Sequence, residues 1–535
     1  MLKSYSFDMW KVLVLSLLCG LVQGVYRIDP LVSTKIGLIR GLSGDGFAKF
    51  LGVPYGLVDG DNPFGHSVPH PDLENIFEAT ESKVCPQVQQ GVPIGTLDCL
   101  TLDIYVPNTA DSRNPLPVMV WIHGGAWVSG SNTAEADDPV SLLKHDVIVV
   151  AINYRVGVYG FLCLDTPEVP GNQGLKDQTL ALRWIRDNIA AFGGNDKKIT
   201  IFGESAGGMS VNLHLFSLNE KLFNQAIIQS GPALSYWMMV KSNDTIPSIL
   251  AEELGYFTLD VDDALRYLST VDPHLVVSRA DDLKISSASG TDQPLTKPCV
   301  EKEFEGVEHF MTEHPMNMKA SKARQTPIII GHTRSEFHFQ YAYQDAAFFE
   351  TYDLETLFKL GFYIDEEMEG AINEVKHFYF GDEKISVNVS NDLIDLGTDL
   401  IFGHSTKRMA EQLLESEAEK VYRYVYSYEN ASHGDELTYL FDANWFPNLS
   451  EEDKLAIKQS PMKAKLTLLW TNFAKYGNPT PEASELIPFI WTPITKTTQP
   501  YLDMDSEYTL SSRPDHSRMA FWDLFYKLYG KHQKW

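Results

Sequence analysis

Apolar residues in this chain fall into two arrangements. In several places they run almost without interruption: "PVMVWIHGG" from Pro117, "DVIVVAINY" from Asp146, "KITIFG" from Lys198, "QAIIQSG" from Gln225, "TPIIIGH" from Thr326 and "VYRYVYSY" from Val421. Runs this short and this rich in β-branched residues predict strands buried on both faces, as in a mostly parallel sheet covered by helices. Elsewhere the spacing changes. In "LKDQTLALRWIRDNIAAF" from Leu175, the apolar Leu180, Trp184, Ile185 and Ile189 recur at near-helical intervals, and Gly193-Gly194 mark the stop. Strand, helix and strand in succession predict an α/β fold.

Residues 240–320 and 340–420 are more helical and polar, and read as excursions above one sheet. No Pro/Gly/Ser-rich linker or repeat separates them. The expectation is one elaborated domain from 25 to 535, which suits a large α/β enzyme.

The first residues follow a different pattern. Lys3 and Lys11 flank the start, and "VLVLSLLCGLV" is an apolar core too short to span a bilayer. With small residues at Val22 and Gly24, residues 1–24 read as a signal peptide, and the protein as secreted and extracellular. No later stretch predicts a membrane anchor. A formal charge of −27 argues against nucleic acid and against an anionic membrane surface, both of which call for a basic face.

Once Cys19 is removed with the leader, Cys85, Cys99, Cys163 and Cys299 remain. Four cysteines allow three full pairings. The short loop from Cys85 to Cys99 is the bridge expected, at about 3 kcal/mol; the partners of Cys163 and Cys299 stay open, and Cys163, in a strand-like run, reads as a free buried thiol. Sequons for N-glycosylation stand at Asn243, Asn388, Asn430 and Asn448.

The candidate chemistry centres on "IFGESAGGMS". Gly203-Glu204-Ser205-Ala206-Gly207 follows a predicted strand and opens a predicted helix, the context in which a serine is held up on a strained turn. The plainer reading of the glycines is close packing. Upstream, "WIHGGAWVSG" ends another strand, where Gly125 and Ala126, with Ala206, could offer amides to a developing oxyanion. His123 reads as structural. Past later strands come Glu336 and His433, in the order Ser, acid, His that such a sheet requires. His332 and His338 are rival bases, and Glu204 and Asp435 rival acids; the latter two stand close in sequence to their partners.

With these residues in hand, the chain resembles the type-B carboxylesterases, the carboxylesterase and cholinesterase branch of the α/β hydrolases. The likeness runs from "STKIGLIRG" and "FLGVPYG" through "DCLTLDIYVP", "NYRVGVYGFL", "GNQGLKDQTLALRWIRDNIAAFGGN" and "GESAGG" to "HGDELTYLF", and "RMAFWDLFY" looks most like insect members. The resemblance implies an α/β-hydrolase fold and a serine esterase without metal or cofactor. It implies Ser205 as nucleophile, Glu336 as acid and His433 as base, with Gly124, Gly125 and Ala126 as the oxyanion loop. It also places the family's first disulfide on Cys85 and Cys99.

There are departures. Ala126 stands where a third glycine is usual, narrowing the acyl side. The loop "PQVQQGVPIGTLD" lacks the aromatic that cholinesterases set against choline, so cholinesterase activity is not expected. Juvenile hormone esterases usually carry Gln where Glu204 stands.

The reaction implied is acyl transfer to Ser205 and then to water, on small apolar esters, with activity falling below about pH 6.5 if His433 titrates normally. Two other accounts compete. A slow, scavenging esterase would use the same serine. An adhesion protein of this fold would have a broken triad and an anchor.

Overall fold

The computed structural model of the chain describes residues 30–133, 139–286, 294–429, 431–441 and 450–534. The leader, Asn430 and Asn448 lie outside the described residues.

Its centre is an eleven-stranded sheet. We number its strands β1 (Leu42–Ser43), β2 (Phe47–Pro54), β3 (Thr101–Pro107), β4 (Leu116–Ile122), β5 (Ile148–Ile152), β6 (Gly194–Glu204), β7 (Gln225–Gln229), β8 (Pro327–Thr333), β9 (Lys420–Tyr426), β10 (Pro500–Met504) and β11 (Tyr508–Ser512). The spatial order is β11-β10-β9-β8-β7-β6-β4-β5-β3-β2-β1. Pairing is parallel from β5 through β4, β6, β7, β8 and β9 to β10. It is antiparallel at both margins, where β3 pairs with β5 and β2, β2 with β1, and β10 with β11.

The six apolar runs all lie in the parallel part. Ile148–Ile152 and Gln225–Gln229 are buried at every position, because helices cover both faces and leave no solvated side to alternate with. One face packs on α1 (Gln173–Asn188) and α2 (Ala206–Phe216), the other on α3 (Pro461–Tyr476). Helix α1 begins close to its predicted start, and its chain leaves through a 3₁₀ turn into Gly193, whose φ of +81° suits only glycine well. The sheet is mixed and flanked by helices, the α/β-hydrolase architecture.

The stretch around Cys163 is not a strand. It follows a short helix, Gly157–Phe161, and Cys163 is not free: it is bonded to Cys299, while Cys85 is bonded to Cys99. Both ends of the longer bridge are buried, and Asn172 fixes the Cys299 backbone from both sides, its Oδ1 accepting at 2.9 Å and its Nδ2 donating at 2.8 Å. Of the described sequons, Asn388 is exposed and Asn243 half-buried; Asn243 Oδ1 accepts from the Thr245 amide and hydroxyl at 3.0 and 2.6 Å.

Candidate active site

Strand β6 ends at Glu204 and α2 begins at Ala206, so one residue makes the whole turn. That residue is Ser205, at φ +56° and ψ −127°. This region is nearly closed to side-chain-bearing residues and costs of order 1–3 kcal/mol. The surroundings hold it there: the Ser205 amide donates to Gln229 O at 3.0 Å and its carbonyl accepts from Met209 at 2.8 Å. A Cβ on Gly207 would lie 2.0 Å from Ile122 O, so the helix can approach the neighbouring strand only because that side chain is missing. The first turn of α2 aims its N–H groups and positive dipole end at the serine.

The loop after β4 comes in from the other side. A Cβ on Gly124 would meet Glu204 O at 2.9 Å and Ser205 Cβ at 3.2 Å, so the main chain of this loop lies directly against the serine. Gly125 and Ala126 follow with φ of +104° and +53°. Thus Ala126 occupies a left-handed conformation that an alanine tolerates poorly. Trp127 anchors the loop beyond, buried and donating from Nε1 to Ser210 Oγ at 3.1 Å. The structure therefore packs the Gly124 main chain against Ser205, with Gly125 and Ala126 next in that loop and Ala206 opening the helix behind the serine.

His433 reaches the same place from beyond β9. Its Nδ1 donates to Glu336 Oε2 at 2.5 Å, and its Nε2 lies 3.2 Å from Glu204 Oε1. Glu336 is fully buried past the end of β8. Its other oxygen accepts from Ser230 Oγ at 2.6 Å and from the Thr333 amide at 2.8 Å. A buried carboxylate held by three donors fixes the imidazole tautomer and ring plane. The ring of Phe402 lies 5.0 Å from that of His433, and the half-exposed Phe339 lies 6.2 Å away.

Burial alone would lower the His433 pKa. The carboxylates of Glu204 and Glu336, with the hydrogen bond to Glu336 and the charge of Glu436, outweigh it and raise the pKa above the usual 6.5. The expectation of a normally titrating His433 is therefore corrected. Glu436 sits one layer deeper. Its Oε1 accepts from Gln229 at 3.2 Å and from the Tyr424 hydroxyl at 3.3 Å. Burial and the charge of Glu336 push it up to about 7.

The rivals separate cleanly. His332 is buried within β8, and burial, aided by Arg423, Arg334 and Arg518, holds its pKa well below normal. His338 begins a short helix and stacks edge-on against Tyr343. Burial pulls His123 down to about 4; its ring stacks on Tyr154 at 4.3 Å and its Nδ1 donates to Gly124 O at 2.9 Å, a structural role. Asp435 is spent on the Ser432 amide at 2.6 Å. Glu204 is the exception. Its closeness in sequence to Ser205 does not remove it from the site, because the turn swings its carboxylate to the far nitrogen of His433. Ser230, Thr333 and Glu436 were not singled out by sequence, and nothing in their local pattern marks them.

Among the described residues no cluster of His, Cys, Asp or Glu could hold a metal ion. The arrangement offers a strained serine at a helix N-terminus, an imidazole oriented by a buried carboxylate, and a glycine loop packed against the serine. Such a set can move a proton off a hydroxyl and stabilise the oxyanion that forms.

Comparison with known proteins points the same way. The description "Carboxylesterase family" matches residues 28–522. Bile salt-activated lipase of Rattus norvegicus is 30% identical, over 97% of this chain and 89% of that one. Juvenile hormone esterase of Tribolium castaneum is 30% identical over 84% of each chain. Para-nitrobenzyl esterase of Bacillus subtilis is 30% identical over 91% of this chain and 97% of its own. Among solved structures, a PNB esterase superposes with a TM-score of 0.72 at 28% identity, covering 92% of this chain and 100% of that one.

Proposed function

The chain belongs to the carboxylesterase family and is a carboxylesterase; from that premise we propose that it hydrolyses small apolar esters through Ser205, His433 and Glu336. The supporting observation is the placement of His433, gripped at Nδ1 by a buried Glu336 and turned toward the Glu204–Ser205 turn.

In this reading His433 in its neutral form takes the Ser205 proton as Oγ attacks the ester carbonyl. The carbonyl electron pair moves to oxygen, where the amides of Gly125, Ala126 and Ala206 receive the charge. Collapse expels the alcohol, which takes its proton from His433, and leaves the acyl group on Ser205. Water then repeats the sequence and releases the acid. Glu336 keeps the proton on Nδ1 and balances the imidazolium. The donor set needs no cofactor.

The aromatic neighbours of His433 support the substrate class. Phe339 and Phe402 stand beside His433, which supports a site for apolar acyl or alcohol groups. Xenobiotic, odorant, pheromone and hormone esters share that chemistry. We further read the protein as secreted: two disulfides suit an oxidising compartment, and no described helix is long and apolar enough to cross a membrane. The leader at 1–24, one catalytic domain from 25 to 535, and glycans on Asn243, Asn388, Asn430 and Asn448 belong to the same reading.

Turnover of short-chain p-nitrophenyl esters by the purified protein, beside Ser205→Ala, tests it. Sustained hydrolysis lost in the variant supports the reading. A single stoichiometric burst favours a scavenger, and no hydrolysis with no labelling by a serine-directed phosphonate overturns the triad.

A further inference from the structure

The helices Ser390–Gly397 and His404–Glu415 are joined by a π-helical segment, Thr398–Gly403, in which every residue is buried. A π turn carries one residue more than an α turn between its hydrogen-bonded groups; it is rare, and it recurs at functional sites. Here it decides what Phe402 touches. A Cβ on Gly397 would lie 2.8 Å from Phe337 Cγ, and the ring of Phe402, five residues on, has its centre 6.2 Å from that of Phe337. Five residues are about 1.4 turns of an α-helix, so in that register the two positions would point to different sides. The wider turn stacks them, and it leaves the Phe402 ring 5.0 Å from that of His433.

A register this rare has to be held from outside the helix, and Asp399 supplies the grip. It is buried; the Tyr379 hydroxyl donates to its Oδ2 at 2.6 Å, and Arg518 Nε lies 2.7 Å from the same oxygen. Tyr379 is fixed in turn by Trp522, whose Nε1 donates to its hydroxyl at 2.8 Å. Tyr379 belongs to the helix Glu366–Phe380, and Arg518 and Trp522 to the helix His516–Tyr529. Two neighbouring helices therefore hold one side chain of the π segment. Arg518 also pairs with Asp395 at 2.5 Å and Asp515 at 3.4 Å; burial opposes its charge, but the three carboxylates outweigh it and raise its pKa. Burial, with the charges of Asp515 and Asp395, pushes Asp399 up to about 7 against Arg518 and Tyr379, so the full ion pair is present above that pH.

We propose that Asp399 is a positioning residue for ester specificity: held by Arg518 and Tyr379, it keeps the π register, and that register sets how near Phe402 stands to His433 and so how long an acyl chain fits beside them. The proposal rests on the esterase reading, because Phe402 borders a substrate only where His433 acts on one. With the grip released, the segment relaxes toward an α-helix and carries the Phe402 ring away from Phe337. Room opens beside His433, and longer acyl groups gain over short ones.

The test is the ratio of kcat/KM for p-nitrophenyl hexanoate to that for the acetate, measured at about pH 8.5, where Asp399 is charged. Asp399→Asn keeps the shape and removes the charge; Phe402→Ala removes the ring. Each is expected to raise the ratio by about tenfold. In the double variant, Asp399→Asn should add less than about twofold to the effect of Phe402→Ala, since both act through one ring. A mere loss of folded protein lowers both esters alike and leaves the ratio where it was. Tyr379→Phe, which deletes only the hydroxyl, gives a milder second route to the same shift. A ratio unmoved in the folded variants overturns the proposal, and so do additive effects in the double variant. Hydrogen exchange reads the grip without a substrate: Asp399→Asn should exchange faster across 398–403, and unchanged protection there also overturns it. A wild type that hydrolyses neither ester instead contradicts the esterase reading, and the specificity role falls with it while exchange still reports whether Asp399 holds the segment.

Discussion

Glu204 Oε1 lies 3.2 Å from Nε2 of His433, so the imidazole has a carboxylate at each nitrogen. Glu336 orients it; Glu204, the residue before Ser205, adds charge at the opposite nitrogen. The added charge stabilises the imidazolium, which in the proposed mechanism helps once the Ser205 proton has been taken up, but it also holds the resting histidine protonated to higher pH. A raised pKa means the neutral base appears only as pH rises through it.

The acid limb of kcat/KM for a neutral ester should therefore have its midpoint above 6.5. Glu204→Gln, which keeps the shape and removes the charge, should move that midpoint down. A pH–rate series on both proteins decides, and an unmoved midpoint in the variant would falsify the electrostatic role of Glu204.

Glu336→Gln should leave the fold nearly intact while presenting the wrong donor to Nδ1. The buried oxygen would still accept from Ser230 and Thr333, but the tautomer would no longer be enforced. A loss on the order of 10⁴ in kcat is expected, with circular dichroism unchanged. A loss below tenfold would argue that another group orients His433.

Gly124→Ala should separate activity from stability. The new methyl would sit 3.2 Å from Ser205 Cβ and 2.9 Å from Glu204 O, pushing the loop away from the serine. Displaced oxyanion amides cost on the order of 10²–10³ in rate. Steady-state kinetics beside a melting curve would show whether kcat falls that far while the protein still melts cooperatively.

Paired replacement of Cys163 and Cys299 by serine opens a covalent loop with a sequence separation of 136. In the chain-entropy account such a loop contributes about 4–5 kcal/mol, so a marked drop in Tm is expected. An unchanged Tm would mean that Asn172 and Glu301 hold this region without the bond.

How much of this is visible in the sequence depends on the range of the interaction. The parallel strands are legible because burial on both faces makes them continuously apolar. The outermost strands are not, because Leu42–Ser43 is only two residues long and Tyr508–Ser512 is solvated along most of its length, so both look like loops. Ser205 is marked by its glycines, and Glu336 and His433 by their places after strands. The bond from Cys163 to Cys299 is invisible, since pairing at that distance is set by the folded loops around Gly171 and Asn172. The Glu204–His433 contact is hidden for a related reason: proximity in sequence says nothing about which way a strained turn throws a side chain. Burial, and hence the titration of His433 and Glu436, exists only in the fold.

The sheet margins have one more effect. At one end the last strand is only Leu42–Ser43; at the other it is the polar, short Tyr508–Ser512. An edge two residues long gives an incoming strand almost no ladder to extend, and a short hydrated one gives little more. The long, apolar, aggregation-prone strands are thereby kept in the interior, where no second chain can add to them. The plain-looking ends of the sheet protect the chain against edge-to-edge polymerisation.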